Sequence, residues 1–261
     1  MSVSRAKFLQ TLGKSIPGLA MGGTAAAAQA LAEKLATISG PITQPAVAPL
    51  KSGGMEFLRH GPSDGNRIAL TFDDGPTPGV TDRILDELKR RDLRATFFMI
   101  GQKVAAAPEL ARRVLAEGHE IGNHSFTHPK LAELPDTRVV EEIEKTQAIM
   151  HEVLYHHPTW FRPPFGSFRR EQTGILQREN LRLVMWSVDP KDWSQPGESK
   201  IAETILTNTK SGSIILCHDL YPQTVNAVGK ILEGLTARGF SFVTLSTLLA
   251  NVAFSSEKID S

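Results

Sequence analysis

Residues 66–250 predict an α/β fold in which a parallel sheet is covered by helices. Seven short, apolar, β-prone runs recur along this segment, and amphipathic helical stretches alternate with them. The runs are also apolar on both faces, as strands buried from two sides must be. A closed or nearly closed barrel is the economical arrangement, and an open doubly wound sheet gives the same pattern.

In chain order the runs are R-I-A-L-T-F from Arg67, A-T-F-F-M-I from Ala95, H-E-I-G-N from His119, W-F-R from Trp160, L-R-L-V-M-W-S-V from Leu181, S-I-I-L-C-H from Ser213 and F-S-F-V-T-L from Phe240. Over 137–154, Val139, Val140, Ile143, Met150, Val153 and Leu154 form a stripe at helical spacing. Val225, Val228, Ile231, Leu232 and Leu235 do the same over 221–237. Both stripes are expected to face the core, and neither suggests a function. Residues 31–65 contain G-P-I-T-Q-P-A-V-A-P and K-S-G-G, a density of Pro and Gly that marks a linker or strap. Residues 251–261 are a C-terminal tail.

The chain has 261 residues, 41% of them apolar, which suffices for one large core. No apolar run reaches the roughly 18 residues of a membrane span. Net charge is +1, and Arg5, Lys7 and Lys14 lie in a first thirty residues without acids, so the remainder is close to neutral. A phosphate-tracking surface should be strongly basic, so nucleic acid is not an expected partner. The single cysteine, Cys217, excludes an internal disulfide and a Cys-rich zinc site.

Residues 1–30 have the layout of an export signal. S-R-A-K-F-L-Q supplies a positive start, a mildly apolar stretch follows, and Ala28-Gln29-Ala30 offers an A-x-A site. The start is similar to a twin-arginine signal in which Ala6 replaces the second arginine. The alternative is an uncleaved, Ala-rich tail. Export to the periplasm or medium is the expectation.

In either α/β arrangement ligands bind beyond the carboxyl ends of the strands, so chemical residues should follow the apolar runs. They do. Asp73 and Asp74 follow the first run, His124 and His128 the third, Arg162 the fourth, Asp189 and Asp192 the fifth, and His218 ends the sixth. A helical turn would place His124 and His128 on one face, and a carboxylate would complete a three-ligand site with an open position. Taken alone, H-x-x-x-H is more often a pair of surface or capping histidines. Asp73-Asp74 before Gly75-Pro76 could equally be a helix cap and a turn residue. Beside a metal, one carboxylate would ligate while its neighbour stayed free as a general base. Adjacent strand residues face opposite ways, so both could reach one site only where the strand ends at Gly75-Pro76. Leu216 and His218 share a side of their strand, leaving Cys217 to pack outward and unreactive. His60, His119, His151, His156 and His157 are assigned no chemical role.

Together these residues resemble the five motifs of the polysaccharide deacetylase family, the NodB-homology carbohydrate esterases of family 4. T-F-D-D-G-P at 71–76, H-S-F-T-H at 124–128, R-P-P-F-G at 162–166, D-P-K-D-W at 189–193 and L-C-H at 216–218 match in the family's order. Phe165 stands where many relatives carry Tyr. The resemblance implies a single-domain, distorted (β/α) barrel of about seven parallel strands. It implies one divalent metal, usually Zn2+ with Co2+, Ni2+ or Mn2+ possible, held by Asp74, His124 and His128. It makes Asp73 the base for the attacking water, with Arg162 fixing it, and His218 the acid, oriented by Asp192. The backbone N–H of Phe165 would hold the oxyanion, and Trp193 and Leu216 would wall the acetyl pocket; Asp189 would be structural. For Trp193, core packing is an equal alternative. The expected substrate is an N-acetylhexosamine polymer or oligomer of the peptidoglycan, chitin or poly-N-acetylglucosamine type. An O-acetyl esterase on acetylated xylan and a non-catalytic carbohydrate-binding protein are the alternatives. An iron oxygenase, which also uses two His and a carboxylate, conflicts with the alternating strand–helix pattern.

Overall fold

A computed structural model describes residues 57–250, which fall within the Val47–Ser261 unit of the chain. The expected export signal, most of the 31–65 segment and the C-terminal tail lie outside the described residues.

The seven expected runs all form strands, and all are parallel to their neighbours: β1 (Arg67–Gly75), β2 (Thr96–Met99), β3 (Glu120–Asn123), β4 (Trp160–Phe161), β5 (Arg182–Leu183), β6 (Ile214–His218) and β7 (Ser241–Phe242). Interleaved with them are α1 (Thr81–Arg90), α2 (Gly101–Ala106), α3 (Pro108–Ala116), α4 (Asp136–Leu154), α5 (Thr173–Arg178), α6 (Glu198–Asn208), α7 (Pro222–Ala237) and α8 (Leu245–Leu248). The order across the sheet is β5-β4-β3-β2-β1-β6, with β7 taking up the first residues of β1.

One expected strand is divided. The run 181–188 is continuous in the sequence, but only Arg182–Leu183 pair with β4. Val188 instead bridges Ile215 of β6, with Ser187 N donating to Ile214 O at 2.9 Å. The chain between them turns away from one neighbour and reaches the other, which closes the sheet with fewer than eight strands. This is the distorted barrel that the motifs imply.

Side-chain alternation sorts the core. Ile68, Leu70 and Phe72 of β1 and Ile215 and Cys217 of β6 pack with the outer helices. Ala69 and Ile214 belong to a smaller cluster with Phe98, Trp160 and Val184 inside the barrel. In α7, Val225, Val228, Ile231, Leu232 and Leu235 are all buried as their spacing predicts. In α4 the buried face includes Val139, Ile143 and Met150, but also the polar Glu142, Thr146 and Gln147. The described end of the strap lies along the barrel, where Leu58 bridges Val184 and Gly61 N donates to Gly212 O at 2.8 Å.

Candidate active site

The site is built at the carboxyl ends of β1, β3, β4 and β6. Alternation along β1 puts Thr71 and Asp73 on the inner face, and the parallel register sets Asp73 beside His218 of β6. β1 ends at Gly75, where Gly75-Pro76 is expected to stop it, but that ending is not what brings the two aspartates together. Asp73 pairs with Phe98 and Gly75 with Met99, so Asp74 is the extra residue of a bulge. Its φ of 76° is the left-handed conformation that Asp tolerates better than most residues. The bulge, rather than a strand end, turns both carboxylates toward one place.

The expectation of a helical turn at His124–His128 is also overturned. These residues form a loop after β3, with Ser125 at φ 63° and His128 at φ 64°. The rings nevertheless converge, with centroids 5.0 Å apart. Asp74 Oδ1 lies 3.3 Å from His124 Nε2 and 2.9 Å from His128 Nε2, and one ligand atom from each residue falls within 4.8 Å of the others. His124 Nδ1 is 2.7 Å from the carbonyl oxygen of Arg162. A carbonyl only accepts, so Nδ1 carries the proton and Nε2 turns its lone pair toward Asp74. Asp74 Oδ1 is buried and makes no hydrogen bond among the described residues. Burial alone would raise the Asp74 pKa; when the His124 and His128 rings are protonated, their hydrogen bonds and charge outweigh it and hold the carboxyl well below its usual range. Lone pairs converging on a buried, unpartnered carboxylate oxygen fit a divalent cation.

Asp73 is held apart from this set. Its Oδ1 accepts from Arg162 Nη1 at 2.7 Å, and its Oδ2 is 3.8 Å from His124 Nε2. Arg162 is fully buried, donates to Thr71 Oγ1 at 2.7 Å and to Met185 O at 2.9 Å, and lies 4.2 Å from the centre of the Phe98 ring. Burial pulls the guanidinium pKa down and the Asp73 charge opposes it.

His218 Nδ1 pairs with Asp192 Oδ1 at 2.7 Å, and its backbone N–H donates to Asp192 Oδ2 at 2.8 Å. Thr224 Oγ1 also donates to Asp192 Oδ2, at 2.7 Å. Burial opposes the imidazolium, but the Asp192 bond and charge, with Asp73 and Asp74 beyond, raise His218 to about 9. Nδ1 is engaged, which leaves Nε2 as its free proton-bearing atom.

The remaining expected residues divide between wall and rim. Leu216 is 3% exposed, on the same inward alternation as His218. Trp193 is 52% exposed, which rejects core packing for it. Phe165 is 64% exposed at φ 58°, its ring 4.6 Å from that of His128. Asp189 accepts from Lys191 N at 2.7 Å, a turn contact. Cys217 is buried on the helix side and its thiol is pushed up by burial, so it is no nucleophile.

The polysaccharide deacetylase profile matches residues 60–184. A peptidoglycan-N-acetylmuramic acid deacetylase, PdaC of Bacillus subtilis, is 39% identical over 69% of this chain, which spans only 38% of that protein's length. A chitooligosaccharide deacetylase of Bradyrhizobium is 38% identical over 72% of this chain and 94% of its own length. The chain belongs to the polysaccharide deacetylase family. The crystal structure of the Bc1960 peptidoglycan N-acetylglucosamine deacetylase superposes with a TM-score of 0.72 at 35% identity, covering 77% of this chain and 95% of that one.

Several residues of this deacetylase-family chain touch the constellation without having been singled out in its sequence. Asp219 is fully buried beside Gly75, where a Cβ would overlap its carboxylate, and burial pushes it up to about 7. Thr81 Oγ1 donates to Asp219 Oδ2 at 2.5 Å. Thr71 and Thr224 bond Arg162 and Asp192, and the buried Glu142 of α4 reaches the His124–His128 loop. Only Glu142 left a trace in the sequence, as an acid three residues after Val139 on the apolar stripe of a helix.

Proposed function

We propose that this chain hydrolyses N-acetyl groups from N-acetylhexosamine units of a wall-type polysaccharide or oligosaccharide, with peptidoglycan first in line. The relatives' names point to that class of polymer, and one observation supports the chemistry most. A carboxylate anchored by Arg162 and excluded from the Asp74–His124–His128 set lies beside a histidine held in its protonated form.

Asp74, His124 and His128 would hold one divalent ion, most simply Zn2+ with Co2+, Ni2+ or Mn2+ as substitutes, supplying a Lewis acid that acidifies a water and polarises a carbonyl. Asp73 Oδ2 takes the proton as the water oxygen bonds to the acetamide carbon. Arg162 holds Asp73 Oδ1 and prevents the carboxylate from rotating into the ligand set. The developing oxyanion meets the backbone N–H of Phe165. His218 Nε2 gives its proton to the amide nitrogen as the C–N bond breaks, so acetate and a free amine leave. Asp192 orients His218 and keeps it charged up to alkaline pH. Leu216 and Trp193 bound the space for the acetyl methyl, and Phe165 and Trp193 offer apolar faces to sugar rings.

Action on such a polymer would call for export, with residues 1–30 as an export signal, 31–65 as a linker or strap, 66–250 as the catalytic domain and 251–261 as a tail. Among the described residues no helix is long and apolar enough to cross a membrane.

The test is acetate release from peptidoglycan, chitin oligomers, poly-N-acetylglucosamine and acetylxylan by the zinc-loaded chain. Release from an N-acetylated polymer is the expected result. Release from acetylxylan alone would reassign the chain as an O-acetyl esterase, and release from none would leave a non-catalytic carbohydrate binder.

A further inference from the structure

The two histidines of the candidate metal set stand on a loop that gains no alignment from a helix. Two non-glycine residues of this loop, Ser125 and His128, occupy the left-handed region, which persists only where the surroundings over-determine it. Its backbone is gripped on two sides. The carbonyl oxygens of Ser125 and Phe126 accept from Gly101 N at 2.9 Å and Gln102 N at 3.1 Å, the first residues of α2. The N–H groups of Phe126 and Thr127, midway between the histidines, both donate to one carboxylate oxygen, Oε2 of Glu142, at 2.9 and 2.7 Å. The other oxygen, Oε1, accepts from Thr127 Oγ1 at 2.7 Å.

We propose that Glu142 is a positioning residue that sets the separation of His124 and His128 and thereby the affinity of the metal site. This deepens the reading above and rests on it.

Glu142 is 4% exposed on the inward face of α4, between Val139 and Ile143 of the core. A carboxylate has no reason to occupy that stripe for packing, because an apolar residue would fill it without the cost of burying a charge. Among the described residues, the hydrogen bonds to its carboxylate all come from Phe126 and Thr127. Such charge-assisted bonds to adjacent backbone N–H groups hold a loop like a helix cap. They fix the two residues that precede His128, whose own N–H turns back to Ser125 Oγ at 3.0 Å. The α4 helix is in this way tied to the ligand set, although it contributes no ligand.

Geometry and charge can be separated by two substitutions. Glu142→Gln keeps all three contacts, since its carbonyl oxygen can accept both N–H groups while its amide donates to Thr127 Oγ1. Glu142→Asp keeps the charge but is one methylene too short to reach. Zinc affinity of the full chain is measured by competition with a chromophoric chelator, and the Co2+ absorption spectrum reports ligand geometry. The Gln variant should bind zinc within about threefold of the parent, and the Asp variant about 10–100-fold more weakly with an altered Co2+ spectrum, as for loss of an outer partner of a metal site. Parental affinity in a folded Asp variant would overturn the proposal. So would an equal loss in both variants, which would assign the effect to charge. If the Asp variant does not fold, Thr127→Val carries the test: it removes the Oε1 contact alone and should still weaken zinc, and unchanged affinity would overturn the proposal. Failure of the parent chain to bind zinc would reject the metal-site reading itself, a result independent of these comparisons.

Discussion

Asp73 and Asp74 are the same side chain at adjacent positions, and their surroundings give them opposite assignments. Asp74 faces two imidazole nitrogens and Asp73 faces a guanidinium. Asp74→Ala should therefore lower zinc affinity by more than the roughly 10–100-fold expected of an outer partner. Asp73→Asn should keep zinc within a few-fold, because Asn still accepts from Arg162, and lose about 10²–10⁴ in kcat as a general base is removed. Equilibrium zinc binding and acetate release on the same preparations decide this, and parental turnover in Asp73→Asn would reject the mechanism. His218 sets the alkaline limb. Raised from 6.5 to about 9, it is a proton donor below that pH and loses the proton above it. The kcat profile should fall as pH rises through about 9, and Asp192→Asn should move that limb down by about 1–2 units. The linkage has the same sign for stability. The folded pKa lies above the unfolded one, so the contribution is full below 6.5 and is lost as pH rises through about 9. The buried His119 runs the other way. Burial lowers it to about 4, so its contribution is present above 6.5 and declines as pH falls from there toward 4.

Strands and helices were legible in this sequence wherever their signal was local. The α7 stripe and the β6 alternation of Leu216 and His218 against Cys217 are consequences of periodicity alone. What local pattern concealed was irregular backbone. The bulge at Asp74 follows from pairing β1 with β2 at a register that no property of T-F-D-D-G-P encodes. The His124–His128 spacing of four suited a helix, yet backbone bonds to α2 and Glu142 hold it as a loop. Close approach between strands was equally invisible. A Cβ on Gly122 of β3 would overlap the Phe98 ring, and that ring carries the Arg162 guanidinium. Gly122→Ala should cost about 1–3 kcal/mol in urea denaturation, as overpacking does. It should also lower kcat, because Arg162 and with it Asp73 must shift. An unperturbed kcat would show that the Phe98–Arg162 contact does not position the base.

The barrel as a whole brings the ends of four strands to one place, and the candidate metal set then ties β1 to the loop after β3. A ligand that binds only the folded chain stabilises it by mass action, about 2.7 kcal/mol at a hundred times its Kd. For a chain of this size that corresponds to about 5–10 °C in Tm. A chelator should lower Tm by that order and zinc should restore it, as measured by thermal unfolding. An unchanged Tm would argue that Asp74, His124 and His128 hold no ion. The closure itself depends on the division of the 181–188 run between β4 and β6, which leaves room for a barrel short of eight strands.

The sequence by itself determined the fold class, the order of elements and the ten residues at or beside the strand ends. Hydrophobic periodicity and short motifs are local properties, and a parallel α/β sheet places its strand ends together whatever their order. Only the tertiary structure decided how those residues face one another. It supplied the bulge that turns Asp74 toward the histidines and the Arg162 bond that holds Asp73 apart from them. It also supplied the Glu142 carboxylate that reaches a loop fifteen residues earlier in the chain. Each of these depends on the packing of elements distant in sequence, and distances of a few tenths of an ångström between such elements are set by the whole core.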